Sequence, residues 1–582
     1  MLKSISSFDR ERRVVKIAGK EIKVGGPTPP VKKGERLIRY TQSLCPYCYR
    51  LLPAVIVERN NKLYIRRVCP EHGEIEEIYF GDAEMYRRFE KLFYEGRGAG
   101  TAYTSVSAPC PFACGLCPLH KSHTSLLNIV VTNRCNLSCW YCFFYAEKVG
   151  YVYEPTIEQI VHMTELLMKQ QGVVPAVQLT GGEPLVREDI VDIIRALRRI
   201  GVKHIQLNTN GIKFAQLYLE SPQKAVEFTR EVRRAGVNTV YMSFDGVTPR
   251  SNPKNHWEIP FIFDTFRKAG VTSVVLVPTL IRGINDGELG DMVRFAAAHM
   301  DIVRAVNFQP VSITGLMKRV ERERFRITIP DVIHLLEKQT DGQIPADAWY
   351  PIPAAVPIAR FIEAYDRAKR VEFTTHPACG AATYVYVRRV GKNEFEFIPI
   401  THMVDVDGLL EYLDRKAQEM ENKPPFLAKI MAMPALLTII RKYILWNNVP
   451  PELRDEFKSM LVEIFTKRSY DALAKFHYKF LFLGMMHFMD LYNYDVQRVM
   501  RCVIHYGMPD GRIVPFCTFN ILNDLYRDYV QQRYFIPIEE YRKKYGDKAI
   551  GDAIKYIRTP SLIEKMTSHP LYKETYSVVM KR

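Results

Sequence analysis

Three cysteines follow the first strong strand pattern of the chain at a spacing suited to an iron-sulfur cluster. Cys135, Cys139 and Cys142 form a C-x3-C-x2-C motif directly after the apolar run LLNIVVTN at 126–133. A loop at the carboxyl end of a strand lets three thiolates bind three irons of a [4Fe-4S] cube and leaves the fourth iron without a protein ligand. The motif therefore predicts a redox cluster with one iron open to a small molecule.

The next strand pattern ends in the motif Thr180-Gly181-Gly182-Glu183-Pro184. Glycines at a strand end let a ligand approach the backbone closely. Together the two motifs resemble the radical SAM superfamily, in which this second segment binds S-adenosyl-L-methionine (SAM). The resemblance implies that Gly181, Gly182, Glu183 and Pro184 hold the methionine part of SAM at the open iron. An electron from the cluster then splits the sulfonium into methionine and a 5'-deoxyadenosyl radical.

Weaker candidates for SAM binding lie beside these motifs and at later strand ends. Tyr141 stands directly before the third cysteine, where an aromatic ring can rest on the adenine, although core packing explains it equally well. Polar side chains at later strand ends suit the ribose hydroxyls or the SAM carboxylate; they are Asn208, Ser243, Asp245 and Gln309. Each of these residues, taken singly, can also cap a helix or shape a turn.

Six further cysteines suit two auxiliary [4Fe-4S] clusters. A second C-x3-C-x2-C motif precedes the first strand pattern, and three cysteines stand alone later; the six are Cys110, Cys114, Cys117, Cys379, Cys502 and Cys517. The early motif lies on the wrong side of that strand for SAM cleavage, so it predicts an auxiliary site. For each late cysteine, a buried free thiol is the competing interpretation. A histidine, water, substrate or sulfur would supply any missing ligand.

The first part of the chain carries a separate set of metal ligands. Cys45 and Cys48 form one pair, Cys69 and His72 form a second, and the strand-like run KLYIRRV lies between them. Two ligand knuckles joined by a hairpin are typical of a small tetrahedral site, and the spacing suits one zinc or one rubredoxin-like iron. Full coordination by protein makes this mononuclear site structural or an electron relay, not catalytic.

The elements that must position these residues alternate between strands and helices. From 126 to 310, six apolar runs of strand length alternate with amphipathic stretches of helix length. This pattern predicts an α/β fold, a partial (β/α)6 TIM-type radical SAM barrel whose strand carboxyl ends meet at one face. The chain then divides into a small N-terminal metal-binding module at 1–105, an auxiliary cluster segment at 106–125, the barrel at 126–325 and a largely helical cluster-binding region at 326–582.

Two long hydrophobic stretches mark the C-terminal region. They span 425–447 and 473–492 and are rich in methionine. One interpretation is a buried helical core. The other is an apolar channel or an interfacial helix that faces lipid chains.

Composition and charge restrict the cellular context. The 582-residue chain has a formal net charge of +17, which favours nucleic acid, an anionic membrane surface or an acidic substrate, unless the Lys and Arg residues serve stability. The start lacks the apolar segment of a secretion signal, and no stretch of about 18 uncharged apolar residues occurs. We therefore expect a cytoplasmic protein without a membrane-spanning helix.

Several segments together resemble the archaeal tetraether lipid synthases, a family of radical SAM enzymes. They are CPFACGLCPLHKSHTSLLNIVVTNRCNLSCWYCFF, the TGGEP motif, NFQPVSITG and RCVIHYGMPDGRIVPFC. The resemblance implies an enzyme that joins terminal methyl carbons of isoprenoid chains on archaeal diether lipids. It also implies an isoprenoid diether lipid substrate, a reductive electron donor and peripheral contact with an anionic membrane surface at the cytoplasmic face.

The chemistry implied by this resemblance is hydrogen abstraction followed by C–C bond formation, with an auxiliary cluster holding the first alkyl centre. The main alternative is a radical SAM methylase, or another carbon-modifying enzyme, that acts on a small molecule such as a pterin. A peptide-modifying radical enzyme would need a peptide-binding element that the sequence does not show. The TGGEP motif argues against a basic metal-binding protein that binds nucleic acid, so we expect no nucleic acid partner.

Overall fold

The computed structural model describes residues 14–102, 104–142, 149–314, 321–466 and 476–580. The N-terminal part is built from antiparallel strands followed by a short helix: β1 (Val14–Ile17), β2 (Lys20–Lys23), β3 (Arg36–Leu44), β4 (Leu51–Arg59), β5 (Lys62–Cys69), β6 (Gly73–Phe80) and α1 (Ala83–Glu90). β3 to β6 pair in chain order as one four-stranded sheet, here called the N-terminal sheet. Because neighbouring strands run in opposite directions, the β3–β4 and β5–β6 loops lie at the same end, and both ligand knuckles occupy these loops.

Six parallel strands form the predicted partial barrel. They are β7 (Leu126–Thr132), β9 (Ala176–Gly181), β10 (Ile205–Thr209), β11 (Val237–Ser243), β12 (Val274–Val277) and β14 (Val303–Pro310), with the short β8 (Tyr151–Tyr153) and β13 (Thr279–Leu280) between them in the chain. Each of the six pairs in parallel with the next. The prediction of an α/β partial barrel with six β/α units is confirmed.

The barrel helices lie between these strands: α2 (Ile157–Gln171), α3 (Ile190–Arg199), α4 (Ile212–Glu220), α5 (Pro222–Ala235), α6 (Ile259–Ala269) and α7 (Leu289–Ala298). Local sequence explains their limits, as α2 shows. Thr156 and Gln159 form a capping box at its start, which satisfies amides that have no helical partner. Gly172 ends it in the left-handed conformation at φ +66°, which glycine adopts without steric cost.

The C-terminal region extends the parallel sheet at both edges. β18 (Phe480–Met486) lies parallel to β14, and β19 (Ile504–Gly507) lies parallel to β7. Antiparallel partners flank these two strands: β16 (Gly380–Arg389), which also pairs with β15 (Tyr350–Pro351) and β17 (Phe395–Pro399), and β20 (Ile513–Pro515). A separate pair joins β21 (Phe535–Pro537) to β8.

The prediction of helix across the hydrophobic stretch 473–492 is wrong for β18. Its run FLFLGMM hydrogen-bonds to β14 on one side and to β16 on the other, so the edge of the barrel sheet decides its conformation. Residues 473–475 of that stretch lie outside the described chain.

The C-terminal region still contains most of the remaining helices. They are α8 (Arg322–Phe325), α9 (Ile329–Gln339), α10 (Val356–Asp366), α11 (Ile400–Met403), α12 (Val406–Glu421), α13 (Pro425–Thr438), α14 (Arg454–Thr466), α15 (Val496–Val499), α16 (Phe516–Ile521), α17 (Arg527–Gln531), α18 (Ile538–Tyr545), α19 (Pro560–Ser568) and α20 (Pro570–Tyr576), with a π-helical turn at Ile439–Tyr443. Within the described ranges, no helix is both long enough and apolar enough to span a bilayer.

The stretch 425–447 is buried on one face only. On α13, Ala428 and Ala435 pack into a small core with α10 and α12. Phe426, Ile430 and Leu437 point the other way and are 63%, 62% and 52% exposed. A buried helical core therefore accounts for only half of this stretch.

Candidate active site

A cavity of about 550 Å³ lies within the barrel and extends to the carboxyl ends of its strands. The predicted cluster ligands Cys135, Cys139 and Cys142 all line it. Its walls are inward-facing strand side chains, among them Gln178 and Gln206. Small-molecule sites typically have volumes of roughly 300–1,000 Å³, so a cofactor and a compact substrate fit the scale of this cavity.

The TGGEP motif lies directly against the start of the cysteine loop. The Gly182 amide donates to the Thr132 carbonyl oxygen at 2.8 Å. A Cβ atom on Gly181 would lie 1.9 Å from that oxygen, and one on Gly182 would lie 2.2 Å from the Arg134 oxygen. Neighbouring backbone therefore requires both glycines, and the same contacts hold the motif beside Cys135.

Glu183 is buried and accepts three hydrogen bonds from the protein. They come from the Thr209 hydroxyl at 2.7 Å, the Asn210 amide at 2.7 Å and the Leu185 amide at 3.0 Å. Burial raises the pKa of Glu183 to about 7, although these donors oppose the rise. Glu183 thus ties the second strand end to the third. Its contact with the SAM amino group stays a prediction.

Residues far away in sequence hold the cysteine loop in place. The Asn210 side chain donates to Oδ1 of Asn136 at 2.7 Å, and the Tyr556 amide donates to the Asn136 carbonyl oxygen at 2.9 Å. Lys555 Nζ donates to the Cys135 carbonyl oxygen at 2.8 Å, across 420 positions of sequence. Neither Asn136 nor Lys555 could be recognised in the sequence, because no motif marks such a long-range contact.

Tyr141 and Asp245 bond to each other inside the site. The Tyr141 hydroxyl donates to Oδ2 of Asp245, and Lys254 Nζ lies 3.0 Å from the same oxygen. Oδ1 of Asp245 accepts from the Thr279 amide at 2.9 Å. Because both carboxylate oxygens have protein partners, Asp245 orients Tyr141 and Lys254. Lys254 lines the cavity and was also missed, since a lone lysine in a loop carries no signal.

The other predicted SAM contacts differ in position. Asn208, Ser243 and Gln309 line the cavity, where Asn208 also donates to the Thr180 hydroxyl at 3.2 Å. Pro184 instead begins a buried 3-10 turn that shapes the loop. Contact of these residues with SAM stays a prediction.

The four predicted ligands of the N-terminal module converge on one point. The ligand atoms of Cys45, Cys48, Cys69 and His72 all lie within 4.8 Å of one another. His72 Nδ1 is 3.5 Å from Cys45 Sγ and 3.4 Å from Cys69 Sγ. Three sulfurs and one imidazole nitrogen in this arrangement fit a tetrahedral zinc or iron site.

The early auxiliary cysteines also lie together. The Cys110 and Cys114 thiols contact each other, which raises the pKa of Cys110 and lowers that of Cys114. Burial raises the pKa of Cys117, and the charge of the Cys114 thiolate adds to the rise. Cys114 Sγ lies 4.0 Å from the hydroxyl oxygen of Thr518, so the C-terminal region covers this set.

The late cysteines come from three separate parts of the chain. Cys379 ends a 3-10 turn before β16, Cys502 precedes β19, and Cys517 lies in α16. Burial raises the pKa of Cys502, and the other two thiols add to the rise; burial also raises the pKa of Cys517 to about 12. Without a metal these thiols therefore stay protonated, and a bound metal ion would have to displace their protons.

A buried arginine beside the late cysteines has an unused donor. Arg498 is 2% exposed; its Nε donates to Cys379 Sγ at 3.4 Å and its Nη2 donates to the His487 carbonyl oxygen at 2.7 Å. Its Nη1 has no partner among the described residues. A buried cation with a spare donor beside the Cys379 thiol fits an anionic iron-sulfur cluster.

Two family profiles and one long alignment match the chain. The radical SAM superfamily profile matches residues 129–296, and the HMPTM N-terminal zinc ribbon domain matches residues 37–81. The chain is 43% identical over 508 residues to the 7,8-dihydro-6-hydroxymethylpterin dimethyltransferase of Methanocaldococcus jannaschii, covering 86% of this chain and 97% of that protein. It belongs to that family. The chain is therefore a radical SAM enzyme that uses SAM, [4Fe-4S] chemistry, a further metal site and a reductive electron donor.

Two further similarities of this pterin dimethyltransferase family member cover only part of the chain. The GTP 3',8-cyclase of Rhodopirellula baltica is 33% identical over 208 residues, which cover 33% of this chain and 52% of that protein. The solved structure of HydG, a maturase of the [FeFe]-hydrogenase, covers 38% of this chain and 50% of its own, with 16% identity and a TM-score of 0.30. A score this low carries no structural inference.

The family membership corrects the predicted identity. Resemblance to the tetraether lipid synthases is wrong as an identification, and the predicted coupling of isoprenoid diether lipids falls with it, because the long alignment is to a pterin dimethyltransferase. The cysteine and TGGEP motifs report SAM cleavage, which all radical SAM enzymes share. Motifs shared by so large a superfamily do not distinguish one substrate from another. The alternative of a pterin methylase agrees better with the alignment.

Proposed function

We propose that the protein is a radical SAM methyltransferase that acts on a reduced pterin. The observation that carries this proposal is the 43% identity to a 7,8-dihydro-6-hydroxymethylpterin dimethyltransferase across almost the whole of that enzyme. The N-terminal match to a zinc ribbon named for the same enzyme supports it, since the likeness extends beyond the barrel.

The polar interior of the cavity is consistent with such a substrate. Asn128, Gln178, Gln206 and Asn307 line the barrel interior, and Gln178 donates to Gln206 at 3.1 Å. Side-chain amides offer both donors and acceptors, which suit the amide and amino groups along one edge of a pterin ring. Apolar walls, including Phe482, suit its flat faces.

The metal groups are assigned from the cysteine motifs and from where the fold places them. We propose that Cys135, Cys139 and Cys142 hold the SAM-binding cluster, that the remaining two cysteine trios each hold an auxiliary cluster, and that Cys45, Cys48, Cys69 and His72 hold zinc. When bound, the first cluster and SAM supply a 5'-deoxyadenosyl radical for hydrogen abstraction. The protein's part is to hold the cysteine loop against the TGGEP strand end and to enclose the reacting carbon in the barrel, away from solvent.

A labelling experiment tests the substrate. The reconstituted enzyme is incubated anaerobically with a strong reductant, 7,8-dihydro-6-hydroxymethylpterin and SAM labelled in its methyl group, and pterin and nucleoside products are analysed by mass. We expect a pterin that carries the label, S-adenosylhomocysteine from each SAM that gives up its methyl group and 5'-deoxyadenosine from a second SAM that is cleaved reductively, and none of these products from a Cys139→Ala variant. An unchanged pterin beside accumulating 5'-deoxyadenosine would reject the pterin substrate while leaving radical SAM chemistry intact.

We also propose that α13 contacts an anionic membrane surface, which would place the protein at the cytoplasmic face. Its outward residues Phe426, Ile430 and Leu437 form an exposed apolar stripe at helical spacing. From 422 to 451 the chain has no Asp or Glu, while its cations are Lys423, Lys429, Arg441 and Lys442. An exposed apolar face on a segment whose charged residues are all cations complements an anionic bilayer.

Vesicle sedimentation tests this surface. The protein should bind phosphatidylglycerol vesicles more tightly than phosphatidylcholine vesicles, and high salt should weaken the binding. Phe426→Ser with Ile430→Ser should weaken it by about tenfold or more, since each buried apolar side chain contributes about 1.5–3 kcal/mol. Ile557→Ser, at another exposed apolar residue, is the control. Equal binding of the protein to both kinds of vesicle would exclude this surface. Equal binding by the Phe426→Ser/Ile430→Ser variant and the Ile557→Ser control would exclude it as well.

A further inference from the structure

We propose that the N-terminal sheet positions the late cysteines Cys379, Cys502 and Cys517, and that Arg39 is the positioning residue. This inference rests on the part of the proposed function that assigns these cysteines to an auxiliary cluster. It gives the zinc ribbon a role that its match to a known domain does not state.

Two of the three late cysteines lie at or just after short helical turns, and each turn begins at a buried capping residue. His376 caps the turn that ends at Cys379, and its Nδ1 accepts the amide two residues later at 3.2 Å. Asp495 caps α15, and its Oδ1 accepts the amide two residues later at 3.0 Å. The Cys502 amide donates to the carbonyl oxygen of the last residue of α15 at 3.1 Å. The two caps therefore set where these two turns begin.

Arg39 contacts both caps through a single nitrogen. Its Nη2 donates to Oδ2 of Asp495 at 2.5 Å and lies 3.2 Å from Nε2 of His376. The same nitrogen donates to the Tyr79 hydroxyl at 2.9 Å, and that hydroxyl donates to Asp495 at 2.8 Å. Thr41 donates to the other Asp495 oxygen at 2.6 Å. Arg39 and Thr41 lie on β3 and Tyr79 lies on β6, so the N-terminal sheet supplies all three contacts.

The pairing leaves little freedom, because the Asp495 side chain is fully buried. A buried carboxylate without a cation is strongly unfavourable, so α15 is held where Arg39 can reach its cap. α15 also carries Arg498, whose Nε reaches Cys379 Sγ and whose guanidinium carbon lies 5.8 Å from the Tyr79 ring centroid. A shift of α15 would move Arg498 and Cys502 relative to Cys379.

A second buried arginine connects the ribbon knuckles to the loop before α15. Arg67 donates from Nε to the Leu44 carbonyl oxygen at 3.0 Å and from Nη1 to the Tyr492 carbonyl oxygen at 2.7 Å. Leu44 precedes Cys45, and Arg67 lies two residues before Cys69. The Arg67 side chain thus ties the backbone beside the ribbon's ligand knuckles to the loop that precedes α15.

Conservative variants of the full-length, anaerobically reconstituted enzyme test the proposal. Arg39→Lys keeps the positive charge but replaces the planar guanidinium group with one compact ammonium group. Arg36→Lys, exposed on the same strand, is the matched control. Iron and zinc per chain are measured, together with the electron paramagnetic resonance spectrum and midpoint potential of each reduced cluster. The cluster at Cys135 is identified as the one whose electron paramagnetic resonance signal changes when SAM is added.

We expect Arg39→Lys to alter the potential of one SAM-insensitive cluster or to lose it, a deficit of about four irons per chain, with zinc and the SAM-sensitive signal retained. Tyr79→Phe removes only a hydroxyl and should shift the potential of the same cluster by a smaller amount. It replaces Arg39→Lys as the test variant if Arg39→Lys does not fold. An auxiliary signal in Arg39→Lys and Tyr79→Phe identical to that of Arg36→Lys would overturn the proposal. If replacing all three late cysteines by alanine costs no iron, the cluster assignment itself is wrong. Pterin methylation is not needed for any of these readouts.

Discussion

At the scale of single residues, the site is defined more by backbone proximity than by reactive side chains. Gly181 and Gly182 are needed because strand-end carbonyl oxygens occupy the space a side chain would take. Glu183, expected to face the ligand, is largely engaged with its neighbours Thr209 and Asn210. The motifs thus mark residues that the fold brings to one cavity, but they give no sign that these residues also align two strand ends.

Gly182→Ala should damage the SAM site. The added Cβ would lie 2.2 Å from a backbone oxygen, and forcing the two segments apart should cost about 1–3 kcal/mol of stability and weaken SAM binding. Thermal unfolding and equilibrium binding of SAM to the reconstituted enzyme measure the two effects. Gly287→Ala is the control, because its added Cβ would lie within 4 Å of no described atom beyond its immediate chain neighbours. Similar behaviour of the two variants would show that the contact is not limiting.

At the scale of elements, the six β/α units were predictable because their strands and helices have clear periodicities. What the sequence could not show is that β18 and β19 extend this sheet, since β18 is short and surrounded by helical patterns. The segment that holds the cysteine loop was equally hidden. Lys555 and Tyr556 act through backbone atoms of the loop, and a contact of that kind leaves no residue pattern.

Lys555→Met should loosen the cluster loop. The ammonium donates to the carbonyl oxygens of Cys135 and Leu137 at 2.8 and 3.1 Å, and hydrogen bonds from charged donors contribute about 1.5–3 kcal/mol. We expect faster loss of iron from the SAM-binding cluster to a chelator. Lys565→Met, at an exposed lysine of α19, should release iron at the wild-type rate. If Lys555→Met lost iron at the wild-type rate, the Lys555 hydrogen bonds would not be needed to hold the cysteine loop in place.

At the scale of the whole molecule, buried ion pairs join the N-terminal sheet to the C-terminal region. Arg39 pairs with Asp495, and Arg326 lies 3.2 Å from Glu77 and 2.9 Å from Asp490. The ribbon is thus part of one assembly with the cluster region, although the sequence suggested a separate module. Pairs of residues more than 400 positions apart cannot be recognised in a single sequence without its fold.

Asp495→Asn should make stability less sensitive to acid. Arg39 lowers the pKa of Asp495 against the opposing effect of burial, while His376 and the Tyr79 hydroxyl also face the carboxylate. A lowered pKa means that the carboxylate stabilises the fold above its unfolded pKa of about 4 and loses this contribution as the pH falls through the folded value. The wild type should therefore exceed Asp495→Asn in unfolding free energy at neutral pH, and the difference should shrink below about pH 4.

Denaturant titrations across this pH range measure the difference. Asp192→Asn, at an exposed carboxylate, is the control and should follow the wild type at every pH. Loss of metal from the ribbon in acid affects all three proteins alike and cancels in the comparison. A constant gap between wild type and Asp495→Asn would contradict the assignment.

The extension of the barrel sheet by β18 and β19 has a consequence for synthesis on the ribosome. Leu127 pairs with His505, and Ala305 pairs with Phe482, so both outer barrel strands find partners that are translated long after them. Until then the nascent barrel exposes two unpaired edges, a form of chain prone to association with other strands. The late cysteines meet only when those edges are covered, so the chain must be nearly complete before that group of thiols can assemble.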